Sequence, residues 1–263
     1  MDADIIRHVA KIVSKKGTNA WFELDASELI PEGTKCKCGC TSFTKEKDTM
    51  DVWFDSGSSH SAVLEQREGV SFPADLYLEG NDQYRGWFQS SLLTSVAKNG
   101  CAPYKSVLTH GFVIDEEKRK MSKSLGNGLP PMQIIEKYGA DILRLWAAST
   151  DYQSDVRISE GILKQLSEVY RKIRNTARYI LGSISDFNPD KDYVEDLEEI
   201  DRFILMRLNE LIKKVNNAYE NYEFHILYHA IHNFCVVDLS NFYLDVIKDR
   251  TYCEKPNSHL RRS

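Results

Sequence analysis

The chain has 263 residues, of which 42% are apolar, enough to bury the core of one large domain or two ordinary ones. A net charge of -5 gives no overall attraction to nucleic acid, so any RNA contact must come from local basic patches. The start Met1-Asp2-Ala3-Asp4 is acidic where a secretory signal is basic and then apolar, and no apolar run reaches the roughly 18 residues of a membrane span, so the chain reads as soluble and cytoplasmic.

Residues 1–50 are mixed and charged and read as a connector or small insertion. Ile5, Ile6, Val9, Ile12 and Val13 make one amphipathic stretch, and a turn-rich region runs from Pro31 to Cys40. Three of the six cysteines, Cys36, Cys38 and Cys40, fall within five residues, unlike a secreted disulfide framework. Thiolates beside a turn glycine are good zinc ligands, although a closed tetrahedral site needs four and only three stand here. Cys101, Cys235 and Cys253 read as small apolar residues.

Residues 51–159 change to an α/β pattern. Trp53 and Phe54 are either the wall of an apolar pocket or plain core. An apolar strand, Leu76-Tyr77-Leu78, ends at Glu79-Gly80. A helix carrying Trp87, Phe88, Leu92, Leu93 and Val96 follows, and then a strand, Val107-Leu108, that ends at Thr109-His110-Gly111. A unit of about thirty residues is the length of a right-handed crossover between parallel strands. Ligands in such sheets bind beyond the carboxyl ends of the strands, where Glu79-Gly80-Asn81-Asp82 and His110-Gly111-Phe112 collect. Acids there accept bonds from an ammonium or from ribose hydroxyls, and Gly80 lets backbone approach closely. The plainer alternative is a capped loop with Asp82 as the helix cap.

The sharpest signal is Lys120-Met121-Ser122-Lys123-Ser124-Leu125-Gly126-Asn127. Two lysines three apart, alternating with hydroxyls, suit a loop that wraps a polyphosphate. Displacing pyrophosphate from ATP builds charge on the β and γ phosphates, which ammonium groups meet without forming covalent bonds. Lysines alone would as readily make a solvated basic loop.

After Ser159 the period becomes helical, so residues 160–263 read as all-α. The stripe Ile162, Leu166, Val169, Ile173, Ala177 and Ile180 closes at Gly182. A second runs Ile200, Ile204, Leu208, Leu211, Val215 and Ala218, and a third Phe224, Leu227, Ile231 and Phe234, continuing toward Phe242. Three such helices imply a bundle. Lys164, Arg171, Lys172, Arg174 and Arg178 lie on and around one polar face, either a phosphate-tracking stripe or a solvated surface. Asn257-Ser258 reads as a helix cap with five residues after it, which predicts a fragment whose last helix has nothing to hold it.

The octapeptide resembles the KMSKS signature of class I aminoacyl-tRNA synthetases. The segments Asp51-Val52-Trp53-Phe54-Asp55-Ser56-Gly57 and Leu78-Glu79-Gly80-Asn81-Asp82-Gln83-Tyr84-Arg85-Gly86-Trp87 are similar to those of the isoleucine-specific branch. The likeness extends over nearly the whole chain, weakest in the first thirty-five residues and from Ser183 to Leu197. It implies the second half of a Rossmann-like parallel sheet followed by a helical stem-contact and anticodon-binding bundle. It also implies that Lys120 and Lys123 are catalytic, with Lys123, Ser122, Ser124, His110, Gly111 and Phe112 on ATP. Glu79, Gly80, Asp82, Gln83 and Trp53 would hold the aminoacyl-adenylate. ATP with Mg²⁺, isoleucine and tRNA(Ile) are the implied partners of a monomer with no membrane contact, and Cys36, Cys38 and Cys40 would bind Zn²⁺. One departure is Gly128-Leu129-Pro130-Pro131, where two prolines stiffen the loop exit. A His-x-Gly-His sequence, the family's other nucleotide signature, is not present, and neither is a recognisable editing domain, so the resemblance predicts a fragment inactive alone. A valine- or leucine-specific relative and a non-catalytic RNA-binding fragment stay open. A purely structural zinc module would leave the lysine loop unexplained.

Overall fold

A computed structural model describes residues 2–122 and 124–263; Lys123 lies outside the described residues. The first segment opens with helix α1 (Ala3–Lys16), whose first amides are capped by Asp2 and which stops at Gly17, φ +81°. None of its residues is buried, so the amphipathic stretch forms the expected helix without making core. Below it Lys45 donates from Nζ to the carbonyl of Trp21 at 2.9 Å, tying the extended stretch before Thr49 back to the short helix Ala20–Glu23.

The α/β part is built as its spacing predicts. Helix α2 (Val52–Gly57) is capped by Asp51, whose Oδ1 accepts from Trp53 N at 2.8 Å. Strand β1 (Ala74–Gly80) is followed by a 3-10 turn (Asn81–Arg85), helix α3 (Trp87–Asn99) and strand β2 (Tyr104–His110). β1 and β2 run parallel, with Glu79 opposite Thr109 and Gly80 opposite His110. The crossover helix covers one face: Tyr77 stacks on Trp87 with centroids 4.2 Å apart and planes within 9°, and Phe88 is buried beneath it. Leu93 and Val96, grouped with them on the sequence, face outward instead. Helix α2 lies against α3 so closely that a Cβ on Gly57 would stand 2.7 Å from Ser90 Cβ. The indole of Trp87 donates to Ser56 O across the same contact at 2.9 Å.

A second parallel pair, β3 (Val113–Ile114) with β4 (Val156–Arg157), encloses helices α4 (Pro131–Tyr138) and α5 (Ala140–Ser149). Pro131 sits in the first turn of α4, where a missing N–H leaves nothing unpaired, so the double proline starts a helix as well as stiffening the loop exit. Ile134, Ile142, Trp146, Ile158, Leu163, Leu166 and Tyr228 form one buried cluster joining this part to the helices that follow. Each such side chain contributes about 1.5–3 kcal/mol by burial.

Helix α6 (Glu160–Ser183) starts at Ser159, whose hydroxyl accepts from Ile162 N at 3.4 Å. Its buried positions are Leu163, Leu166 and Thr176 rather than the full stripe expected, and Ala177 is exposed. Thr176 is admitted because its hydroxyl is satisfied by Lys172 O at 3.0 Å and Ser240 Oγ at 2.8 Å. Helices α7 (Glu199–Glu220) and α8 (Phe224–Asn233) complete the bundle. Beyond α8 the third stripe widens into a π-helical stretch (Phe234–Tyr243), which leaves Phe242 43% exposed and turns Tyr243 toward α7.

The last turns, α9 (Lys248–Cys253) and α10 (His259–Arg262), correct one expectation: the final helix is held. Ser258 caps it, Arg261 contacts the Asp186 carboxylate at 3.2 Å, and Ser263 Oγ donates to Asp201 at 2.7 Å while accepting from Glu198 N at 2.8 Å. No helix among the described residues is long and apolar enough to cross a membrane.

Candidate active site

Because β1 and β2 end level with each other, the polar residues after each meet at one edge. A Cβ on Gly80 would stand 2.6 Å from Asp82 Oδ1 and 3.7 Å from His110 Cε1, so only the bare glycine lets these two side chains converge over the strand tip. Asp82 lies 3.5 Å from Gln83 Nε2, and Gln83 Oε1 accepts from Trp87 N at 2.9 Å, capping α3. The helix cap is therefore Gln83, not Asp82, which leaves the Asp82 carboxylate exposed. A Cβ on Gly86 would touch Gln83 Oε1 at 2.6 Å and Trp53 Cη2 at 3.1 Å. Trp53, 43% exposed, thus lies flat against this turn and is not core; Phe54, 45% exposed, is not core either. Glu79 is exposed at the same tip, beside Thr109, whose hydroxyl lies 3.2 Å from that of Tyr84.

His110 is partly buried, and its Nδ1 lies 2.7 Å from Gly111 O. A carbonyl only accepts, so Nδ1 is the donor of this bond. Gly111 is buried. Its N donates to Tyr152 O at 2.8 Å, and Phe112 N donates to Asp155 Oδ1 at 2.7 Å. A Cβ on Gly111 would lie 2.4 Å from the Ser154 carbonyl carbon and 2.6 Å from Asp155 N, both backbone. Gly111→Ala is therefore expected to destabilise the chain by about 1–3 kcal/mol, since backbone has no rotamer to yield. Urea unfolding measures this, and an unchanged midpoint would contradict the close approach.

The signature loop leaves this edge through a tight hairpin in which Ile114 pairs with Lys120. Lys120 Nζ stands 5.2 Å from the centroid of the exposed Phe112 ring, a cation–π contact of about 0.5–1 kcal/mol. Ser122 and Ser124 hydroxyls are 3.1 Å apart, and Ser122 Oγ also accepts from Leu125 N at 3.2 Å. A groove of about 440 Å³ runs along Met121, Ser122, Gly126, Gly128, Leu129 and Pro130.

Trp53, Gln83, Asp82, Gly80 and His110 therefore gather at the tips of β1 and β2, and Lys120 meets Phe112 where the signature loop begins. Three supports went unassigned on the sequence: Asp155 under Phe112, and Asp115 with Asn127 at the loop base. The position of Asp115 directly after the apolar Val113-Ile114, at the head of the run Asp115-Glu116-Glu117, was the available signal for it.

The Cys36 thiol meets that of Cys38, but the three cysteines with Cys40 do not form a group. Cys36 N donates to Cys40 O at 2.9 Å and Gly39 N to Cys36 O at 2.8 Å, a tight turn with all three thiols exposed. The Cys38 N–H holds the Cys36 thiol below its usual range. Among the described residues no three His, Cys, Asp or Glu side chains are arranged to hold a metal. Lys164, Arg171, Lys172, Arg174 and Arg178 are all exposed along α6. Arg171 and Arg174 line a groove with Tyr138 and Tyr170, and Arg178 a second with Tyr179 and Tyr252.

Residues 1–159 match the family of class I tRNA synthetases (I, L, M and V), and residues 201–263 match the anticodon-binding domain of tRNA ligases. The chain belongs to the class I tRNA synthetases. Among its relatives, the isoleucine–tRNA ligase of Caldicellulosiruptor saccharolyticus is 62% identical over 263 residues, covering 99% of this chain and 29% of that protein. The isoleucine–tRNA ligase of Brevibacillus brevis is 60% identical over 261 residues, 98% of this chain and 28% of that protein. The chain thus spans under a third of the length of the curated relatives it matches. Two solved structures share the fold. Agrobacterium radiobacter LeuRS, in a ternary complex with tRNA and LeuAMS, has a TM-score of 0.64 at 22% identity, over 79% of this chain and 29% of that one. Mycobacterium tuberculosis methionyl-tRNA synthetase, with methionyl-adenylate, has a TM-score of 0.61 at 20% identity, over 80% of this chain and 43% of that one.

Proposed function

We propose that the chain supplies the lysine-loop half of the catalytic domain, residues 51–159, and the start of the tRNA-binding helices, residues 160–263, of an isoleucine–tRNA ligase. The observation that carries this reading is the shared carboxyl end of β1 and β2, where Glu79, Asp82, His110 and Trp53 gather a few residues before the lysine loop, whose Lys120 meets Phe112. In the first step a carboxylate oxygen of isoleucine attacks the α-phosphorus of ATP, and the bond to the leaving pyrophosphate breaks. In the second, a ribose hydroxyl at the end of tRNA(Ile) attacks the acyl carbon and AMP leaves. Glu79 and Asp82 accept bonds from the amino group and ribose, with Gln83 and Gly80 shaping the turn. Trp53 offers the apolar wall for the side chain. His110, Gly111 and Phe112 pack on the adenine side, while Lys120, Lys123, Ser122 and Ser124 meet the phosphates of ATP, which arrives with Mg²⁺. The cationic grooves of α6 follow the tRNA backbone.

The test is isoleucine-dependent exchange of pyrophosphate into ATP. An enzyme of the relatives' full length carrying this chain is expected to exchange with isoleucine in preference to valine or leucine, whereas the 263 residues alone do not. Robust turnover by the isolated chain would refute its role as one half of a site. Salt-dependent tRNA binding with no exchange in the long form would favour a non-catalytic RNA-binding role.

A further inference from the structure

The base of the signature loop is closed by a buried carboxylate. Asp115, 6% exposed, accepts from Arg119 N at 2.7 Å, Arg119 Nε at 2.9 Å and Asn127 Nδ2 at 2.8 Å. Burial alone would push this acid up, but the bonds from Asn127 and Arg119 outweigh it and hold it below the usual carboxylate range. Asn127 spends its other valences on the loop itself, its Oδ1 accepting from Ser122 N at 2.9 Å and its Nδ2 reaching Lys120 O at 3.3 Å. The hairpin turn is set by Asp115 N donating to Arg119 O at 3.0 Å and by Lys118 at φ +64°. Lys120 and Ser122, on the near side of the second lysine, are thus tied through the Asn127 amide to one acid, and that acid directly follows β3.

We propose that Asp115 and Asn127 are positioning residues: a donor–acceptor clamp that fixes both ends of the lysine loop for the ATP-dependent step and is not needed for acyl transfer. The proposal rests on the functional reading above. Neither side chain touches a reacting atom. The clamp restricts the conformations open to the loop, so less of the entropic cost of ordering it falls on phosphate binding.

Exchanging the two side chains tests this. Asn127→Asp sets two carboxylates against each other, whereas Asp115→Asn combined with Asn127→Asp restores one donor and one acceptor with the ends reversed. In the full-length enzyme, N127D is expected to lower kcat/KM for ATP in pyrophosphate exchange by about ten- to a hundredfold, the scale of a lost charge-assisted bond. Transfer from preformed isoleucyl-adenylate to tRNA should change less than about twofold, and the double exchange should recover most of the loss. Equal loss in both half-reactions, or no recovery in the double variant, would overturn the proposal. Amide hydrogen exchange on the 263-residue chain separates this from a failure of the functional reading. N127D should speed exchange at Arg119, Ser122 and Leu125 with α3 and α6 unchanged, and wild-type protection there removes the clamp whatever the enzyme does.

Discussion

Lys123→Ala is expected to cut isoleucine-dependent pyrophosphate exchange by about 10²–10³-fold in the full-length enzyme, the size typical of losing one transition-state donor. Charge on the departing pyrophosphate grows only as the bond breaks, so an ammonium aimed there lowers the barrier more than it tightens ATP binding. The loss should fall on kcat, with KM for ATP moving little. Folding should be untouched, because the residues that brace the loop are Asp115, Arg119 and Asn127. An unchanged exchange rate would remove Lys123 from the mechanism, and a fall in Tm would show that the substitution acted through stability.

Asp201→Ala is expected to be the most damaging single change to the helical part, at about 3–5 kcal/mol, the range for stripping one member from a buried ion pair. Asp201 is 2% exposed and sits at the start of α7, where it receives Arg250 Nη1 at 2.8 Å, the Tyr243 hydroxyl at 2.7 Å and Ser263 Oγ at 2.7 Å. Without it the guanidinium, only 12% exposed, loses its direct ion-pair partner and keeps only the more distant charge of Glu198. Such a loss is a large share of the total stability of an ordinary domain, about 5–15 kcal/mol. Burial raises the Asp201 pKa, but Arg250, Tyr243 and Ser263 bring it net below its ordinary value. A folded-state value below the unfolded one means that the contribution is complete above about pH 4 and fades as pH falls through the depressed value. Urea titration of the chain at neutral pH measures the effect. A loss below about 1 kcal/mol would mean that Arg250 finds water instead.

Much of the carboxyl edge of β1 and β2 was legible because short-range chemistry fixes it. Apolar strands ending at Glu79-Gly80 and Thr109-His110-Gly111, separated by one helical stretch, leave little choice but a parallel pair with both tips together. The lysine loop was legible as composition, but its brace was not. Asp115 and Asn127 are twelve residues apart, and nothing in periodicity says that one amide closes on one acid. Likewise Trp53 gave no sign whether it was core or wall, since that depends on Gly57 and Gly86 admitting α2 against α3. In the helices the period was right and the phase incomplete. Thr176 replaces Ala177 on the buried face because a distant Ser240 satisfies its hydroxyl, and a stripe of apolar letters does not register such a partner. The cysteines show the converse: three thiols close in sequence turn around Gly39, and only Cys36 and Cys38 meet.

The tie between Glu198 and Ser263, reinforced by Asp201, joins positions 65 residues apart into a ring of polypeptide. Loss of this tie would release both segments at once, so the amides beside Glu198 and Ser263 are expected to open to hydrogen exchange together rather than one after the other.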